Sequence, residues 1–168
     1  AKLYSDVKSV CNVLKNNDVK FNSNVGIIGP NNYNFVKSSL ATMAYGAVAT
    51  LLPFQLDDKT IYGCCLKYNL TLMFYDPAME EKIQFAKQML PNVNFVKVEE
   101  FEACDSISFN YDIEPNDSSC IVLTGGTTGK SKGAVLSHRA LMKGTLNGTY
   151  GNDFIFDQVY YSIMPLTH

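Results

Sequence analysis

The stretch Thr124-Gly125-Gly126-Thr127-Thr128-Gly129-Lys130-Ser131-Lys132-Gly133 decides how this sequence is interpreted. These ten residues include four glycines, three threonines and two lysines, a density found nowhere else in the chain. Glycines let backbone amides turn toward an anion, hydroxyls add adaptable donors, and a lysine ammonium supplies the compensating charge. Apolar residues at 120–123 and 134–136 predict a strand on each side. The stretch therefore predicts a phosphate-binding loop between two strands.

Other glycine-rich motifs fit this stretch less well. A Walker A loop needs a glycine five residues before Gly129, where Thr124 stands, and it leads directly into a helix. A phosphotransferase of that class would depend on Lys130 and Ser131. The spacing GxGxxG of dinucleotide-binding folds is absent, because Gly125 and Gly126 are adjacent. An ordinary hairpin connection, in a module that binds no nucleotide, remains as an alternative.

The segments before the loop alternate between strand and helix patterns. Apolar, β-branched runs predict strands, and apolar residues at three- and four-residue spacing predict helices between them. Several of these helices are preceded by candidate N-caps, namely Asn31 or Asn32, Asp57 or Asp58, Asp76 and Ser137. The predicted strands lie at residues 25–28, 50–52, 70–75, 93–98, 120–123, 134–136 and 159–164. The predicted helices lie at residues 3–14, 36–47, 58–68, 77–89 and 138–147. This alternation predicts an α/β fold with a largely parallel sheet flanked by helices.

Composition narrows the class of protein further. With 168 residues, 46% of them hydrophobic, the chain is expected to form a single α/β unit over residues 1–168. The net charge of −2 and a single arginine, Arg139, argue against nucleic acid as a partner. No apolar run reaches the ~20 residues of a transmembrane helix, so a cytoplasmic location is expected. The five cysteines lack CxxC spacing and are interpreted as buried free thiols.

The glycine-rich stretch resembles the phosphate loop of the adenylate-forming superfamily, whose pattern is T-S/G-G-T-T-G-x-P-K-G. The chain agrees with it at nine positions, counting the free one, and departs at Ser131, where the family usually has proline. The TGGTTG form is also similar to that of bacterial long-chain acyl-CoA synthetases. Gly46-Ala47-Val48 resembles the family's early "AGAV" strand, and residues 164–168 resemble its "LPLFH" element, with Thr167 in place of the aromatic residue.

This resemblance implies a chemistry and a set of site residues. A carboxylate attacks the α-phosphate of ATP to give an acyl-adenylate and pyrophosphate, and a thiol such as coenzyme A then displaces AMP. Thr124 would help to ligate Mg²⁺, and His168 would lie on the side of the carboxylic acid, for which a fatty acid is the first candidate. His138 is assigned no role. By resemblance, ATP would be bound by Thr124, Gly125, Gly126, Thr127, Thr128, Gly129 and Lys132, with the amides around Gly125 to Gly129 and the Lys132 ammonium on the β- and γ-phosphates.

The resemblance also implies parts that would lie beyond His168. The family uses a YGxTE-like segment, a ribose-binding aspartate, a hinge, and a lysine in a small C-terminal domain. We therefore expect the 168-residue chain to be the N-terminal portion of such a ligase and to be inactive alone. A piece of a split enzyme and a stand-alone binding module are the alternatives. The open strand edges of an incomplete sheet predict self-association or pairing with a complementing C-terminal portion.

Overall fold

The sheet and its helices account for most of the chain. The computed structural model describes residues 2–99, 101, 112–125, 132–149, 164 and 166–167. The helices are α1 (Lys2–Asn16), α2 (Tyr33–Tyr45), α3 (Asp58–Lys67), α4 (Gln84–Met89) and α5 (His138–Thr149), with a 3₁₀ turn at Pro77–Met79. The strands are β1 (Asn24–Ile28), β2 (Val48–Leu52), β3 (Leu72–Tyr75), β4 (Asn94–Lys97), β5 (Ser118–Thr124) and β6 (Lys132–Ser137).

The strands form one six-stranded sheet in the order β4-β3-β1-β2-β5-β6 among the described residues. Strands β1 to β5 run parallel to one another, and β6 runs antiparallel to β5. This confirms the predicted α/β class and the predicted strand, loop and strand order around the glycine-rich stretch. The carboxyl ends of β1, β2, β3 and β5 consequently meet at one edge of the sheet, named here the carboxyl edge.

Apolar side chains pack on both faces of the sheet because successive residues of a strand point to opposite faces. On one face, α1 and α2 cover Val25, Ile27 and Phe74. On the other face, α3 and α4 cover Ile28, Leu52 and Met73. Strands covered on both faces are expected to be continuously apolar, and β2 and β3 are buried along their whole length.

The helix boundaries follow local capping chemistry. Asn32 accepts a hydrogen bond from the Phe35 amide at the start of α2, and Asp57 accepts one from the Thr60 amide at the start of α3. Ser137 accepts a hydrogen bond from the Ala140 amide, as the sequence predicted. Gly46 caps the C-terminus of α2, and its φ of 88° lies in the left-handed region, which favours a residue without a side chain.

One predicted helix is interrupted. The sequence predicts a continuous helix at residues 77–89, but the chain forms the 3₁₀ turn Pro77–Met79 and enters α4 only at Gln84. The Met79 amide bonds the Asp76 carbonyl, and the Glu80 amide bonds the Pro77 carbonyl, so the first turn is wound more tightly than an α-helix.

The cysteine prediction is confirmed for the four cysteines in the described part of the chain. Cys11, Cys64, Cys65 and Cys120 are free and buried. Burial raises the pKa of Cys11 and of Cys65 to about 12, so both are inert thiols at neutral pH. Cys104 and residues 159–163 of the strand predicted at 159–164 lie outside the described residues, and Met164, its last residue, is in a bend. Within the described ranges, no helix is both long and apolar enough to cross a bilayer.

Candidate functional site

The hairpin β5–β6 fixes the two ends of the glycine-rich loop. Thr124, the last residue of β5, lies opposite Lys132, the first residue of β6. The Thr124 hydroxyl donates a hydrogen bond to the Lys132 carbonyl oxygen over 3.2 Å. Residues 125–131 must therefore begin and end at one strand pair at the carboxyl edge. Gly126, Thr127, Thr128 and Gly129 lie outside the described residues.

The two ends of this loop are open to solvent, and one of them carries the positive charge of Lys132. Thr124, Gly125 and Lys132 are all exposed. A methyl group added at Gly125 would meet no atom of the described residues within 4 Å. None of the ion pairs in the described part of the chain involves Lys132. An exposed ammonium beside open backbone is suited to an anionic ligand.

Gly133 anchors the hairpin to the rest of the molecule. A Cβ atom at this position would lie 2.7 Å from Tyr68 Cε1 and 2.8 Å from Ile121 Cγ2. The Tyr68 ring, at the end of α3, therefore lies against the backbone next to Lys132. The Tyr68 hydroxyl is buried without a hydrogen-bond partner in the described structure. Sequence reasoning missed this contact, because a glycine in a glycine-rich loop gives no signal of a packing role.

The carboxyl edge has a second polar cluster beside β1 and β3. Asp76 follows β3, is 8% exposed, and accepts hydrogen bonds from the side-chain amides of Asn32 (2.7 Å) and Asn34 (3.2 Å) and from the backbone amide of Ala78 (3.0 Å). Burial acts to raise the pKa of the Asp76 carboxyl, but these three hydrogen bonds together lower it below its usual value. This cluster is saturated by its own members and holds two loops together.

Asn31 connects the carboxyl edge to the segment that precedes His168. Its side-chain amide donates to the Met164 carbonyl oxygen over 2.9 Å, and its side-chain oxygen accepts from the Leu166 amide over 2.9 Å. Thr167 is 4% exposed. His168 itself lies outside the described residues. The sequence suggested Asn31 or Asn32 as a helix cap; Asn32 is the cap, and the role of Asn31 was not foreseen.

Candidate metal ligands are few. The described residues contain no cluster of three or more histidine, cysteine, aspartate or glutamate side chains that could hold an ion. Thr124 offers one exposed hydroxyl. Mg²⁺ usually keeps several waters and takes one or two protein ligands plus substrate phosphates, so a single hydroxyl at the loop entrance fits a nucleotide-borne ion and not a resident one.

The Walker A alternative requires a helix directly after the loop. The chain instead continues into β6, and α5 begins six residues after Lys132, at His138. The amide of His138 donates to the Asp117 carbonyl oxygen at 3.1 Å, so its backbone caps the loop before β5. The N-terminus of α5 is therefore separated from the glycine-rich loop by the length of β6.

Comparison with known proteins identifies similar chains. The family model described as "AMP-binding enzyme" matches residues 1–168. A feruloyl-CoA synthase from an Amycolatopsis species is 24% identical over 168 residues, which cover all of this chain and 34% of that protein. The chain thus spans about a third of the length of this curated relative.

Two solved structures share the fold. ATP-bound MatB from Rhodopseudomonas palustris superposes with a TM-score of 0.70 at 22% identity, covering 88% of this chain and 31% of that one. The anthranilate CoA ligase AuaEII, in complex with anthranoyl-AMP, gives a TM-score of 0.75 at 20% identity, covering 88% and 31%. The predicted fold, the N-terminal region of an adenylate-forming enzyme, is confirmed by these superpositions.

Proposed function

Because the chain belongs to the AMP-binding enzyme family, we propose that it forms the ATP-phosphate-binding part of a carboxylate-activating ligase. In this reaction a carboxylate oxygen bonds to the α-phosphorus of ATP as the bond from that phosphorus to pyrophosphate breaks. Coenzyme A then attacks the acyl-adenylate carbonyl, AMP leaves, and a thioester forms. We further propose that residues 1–168 act as one α/β unit within this ligase.

The observation that carries the proposal is the hairpin at Thr124 and Lys132. The strand pair holds both ends of the loop at the carboxyl edge, which is where parallel α/β sheets bind their ligands. Exposed backbone at Gly125 and the exposed Lys132 ammonium offer donors and charge to phosphate oxygens. Positioning and charge neutralisation are the main contributions that a protein makes to transfer at phosphorus.

We assign the individual roles as follows. The backbone amides from Gly125 to Gly129 would hold the β- and γ-phosphates, with hydroxyls from Thr127 and Thr128, and the Lys132 ammonium would balance their charge. Thr124 would provide one ligand to Mg²⁺. When bound, Mg²⁺ neutralises charge that develops on the leaving pyrophosphate. His168 would lie beside the carboxylic acid.

For the carboxylic acid substrate we propose a chemical class and not a single compound. The TGGTTG form of the loop favours a fatty acid, whereas the names of two similar proteins refer to feruloyl and anthranoyl groups. A short panel of fatty and aromatic acids therefore covers the candidates. The acceptor is proposed to be coenzyme A because both of these proteins are named as CoA ligases or synthases.

The decisive experiment is a calorimetric titration of Mg·ATP into the wild-type protein and matched lysine variants. We expect Lys132→Ala to weaken ATP binding about tenfold or more, because a charge-assisted contact to phosphate is lost. Lys143→Ala, which removes an exposed lysine from α5, is the control and should leave the affinity unchanged. A Walker-type phosphotransferase would respond to Lys130→Ala instead.

Two results would contradict the proposal. Absence of ATP binding by the complete polypeptide that contains residues 1–168 would favour a module that only binds other proteins. Equal loss in Lys132→Ala and Lys143→Ala would show that the effect is one of general charge and not of the loop. Carboxylate-dependent exchange of pyrophosphate into ATP then tests the adenylation step itself.

A further inference from the structure

The side chain of Asn31 binds a distant segment of the chain in a paired geometry. Its Nδ2 atom donates to the Met164 carbonyl oxygen, and its Oδ1 atom accepts from the Leu166 amide, each over 2.9 Å. The partners are 133 and 135 residues away in the sequence. One primary amide thus satisfies both a donor and an acceptor of a single backbone stretch, much as a neighbouring strand would.

The support of Asn31 is rigid. Gly29 lies so close to Asp76 that an added Cβ would be 2.8 Å from the Asp76 Cβ. The next residue, Asn32, caps α2 and donates to the Asp76 carboxylate over 2.7 Å. Pro30, between these fixed points, has a restricted φ. The backbone on both sides of Asn31 is therefore held to the carboxyl edge, so its side chain can serve as a fixed reference point.

The segment that Asn31 holds leads directly to a proposed site residue. Thr167 is 4% exposed, and its hydroxyl is buried without a hydrogen-bond partner in the described structure. His168 is two residues beyond Leu166 in the sequence.

We infer that Asn31 is a positioning residue for the carboxylate step, and this inference rests on the proposed function. Asn31 bonds Met164 and Leu166 at the carboxyl edge, and through this contact it would position the segment that continues to His168, the residue proposed to lie beside the carboxylic acid. It does not contact the phosphate loop at Thr124 or Lys132 in the described structure. Its loss should therefore affect use of the acid and leave ATP binding intact, because a misplacement of about 1 Å can cost up to about 100-fold in rate.

The test combines a direct and a kinetic measurement on the complete polypeptide. Hydrogen–deuterium exchange at the Leu166 amide should be about 3- to 10-fold faster in Asn31→Ala, because that amide loses its acceptor. In the exchange of pyrophosphate into ATP, kcat/KM for the acid should fall about tenfold, with KM for ATP within about twofold of wild type. Asn34→Ala is the control, since Asn34 bonds Asp76 but not residues 164–166.

The possible outcomes separate the two proposals. Unchanged exchange at Leu166 in Asn31→Ala would overturn the positioning role, even in an active enzyme. Equal loss for acid and ATP, or the same loss in Asn34→Ala, would show a general structural effect and would also overturn it. Wild-type protein that supports no pyrophosphate exchange with any acid would overturn the proposed function, and with it the catalytic consequence of the contact, whatever Leu166 shows.

Discussion

The parallel strands β1–β3 and the strand β6, which forms a hairpin with β5, belong to one sheet but differ in how they are covered. Every residue of β1, β2 and β3 except Asn24 is buried. No residue of β6 is buried, and Val135 at its centre is 60% exposed. The polar groups differ in the same way, because Asp76 beside β3 is fully bonded whereas Lys132 on β6 has no ion pair in the described structure.

This difference separates stability from binding. Apolar burial is the main favourable contribution to folding, so the parallel strands should carry most of the folding free energy. Strand β6 buries little and carries the exposed Lys132 ammonium, so its side chains can change with little effect on the fold, whereas its hairpin partner β5 is largely buried. A site that is supported by a rigid core but contributes little to it is a common arrangement for binding loops. The predictions below test this division, beginning with the largest effect.

The largest effect is expected from truncation in the parallel strands. Phe74 on β3 is fully buried between the sheet and the helices of one face. Phe74→Ala should lower the free energy of unfolding by about 3–5 kcal/mol, because it removes apolar contacts and leaves a cavity. Val135→Thr on the hairpin, which keeps β-branching, should change it by at most about 0.5 kcal/mol. Urea unfolding of both variants measures the contrast, and similar losses would contradict the division.

An intermediate effect on stability is expected at Gly133, where β6 contacts Tyr68 at the end of α3. Gly133→Ala places a methyl group 2.7 Å from the Tyr68 ring and 2.8 Å from Ile121 Cγ2. The ring can move, but Ile121 is fixed within β5, so we expect a cost of about 1–3 kcal/mol from overpacking. Gly125→Ala, whose methyl group meets no atom of the described part of the chain within 4 Å, is the matched control and should cost little in stability. Thermal unfolding compares the two variants.

Either outcome for Gly133→Ala sharpens the comparison. A large cost would show that the contact of Gly133 with Tyr68 and Ile121 couples β6 to the core. No cost would show that the hairpin can shift away from Tyr68 freely, and that Tyr68 does not fix the position of Lys132.

Much of the fold could be predicted because local signals and tertiary structure agree. The β-branched run at Val25, Ile27 and Ile28 and the caps at Asn32, Asp57 and Ser137 each act through nearest neighbours, so periodicity and capping rules found them. The order of the strands was not predicted, since hydrogen bonding between distant segments leaves no local pattern. The tight turn at Pro77–Met79 was missed because its residues also suit an α-helix.

The candidate site was predicted only where its residues leave a local signal in the sequence. Thr124 and Lys132 were found because their loop has an unusual composition, and the structure places both at the carboxyl edge. The contacts of Asn31 with Met164 and Leu166 and of Tyr68 with Gly133 join residues that are far apart in sequence. Only three-dimensional proximity reveals them. The roles of the loop residues and of His168 remain predictions.

The smallest effect is expected from the saturated cluster at the carboxyl edge. Asp76→Asn keeps the size of the side chain but replaces the carboxylate, which accepts hydrogen bonds from Asn32, Asn34 and Ala78, by a neutral amide. We expect a loss of about 1 kcal/mol at pH 7, the difference between charged and neutral hydrogen bonds. Asp58→Asn, at a partly exposed carboxylate on α3, should cost at most about 0.5 kcal/mol at the same pH. Urea unfolding of each variant against wild type gives the two values.

The pH dependence identifies the cause of that loss. The pKa of Asp76 is lowered in the folded state, so the unfolded chain takes up the proton first as the pH falls. The stabilisation by the carboxylate is therefore fully present above about pH 4, the usual pKa of an aspartate, and it is lost as the pH falls through the lowered value. The difference between wild type and Asp76→Asn should shrink over that acidic range. A difference that stayed constant down to pH 2 would show that amide geometry, and not charge, holds the loops after β1 and β3 together.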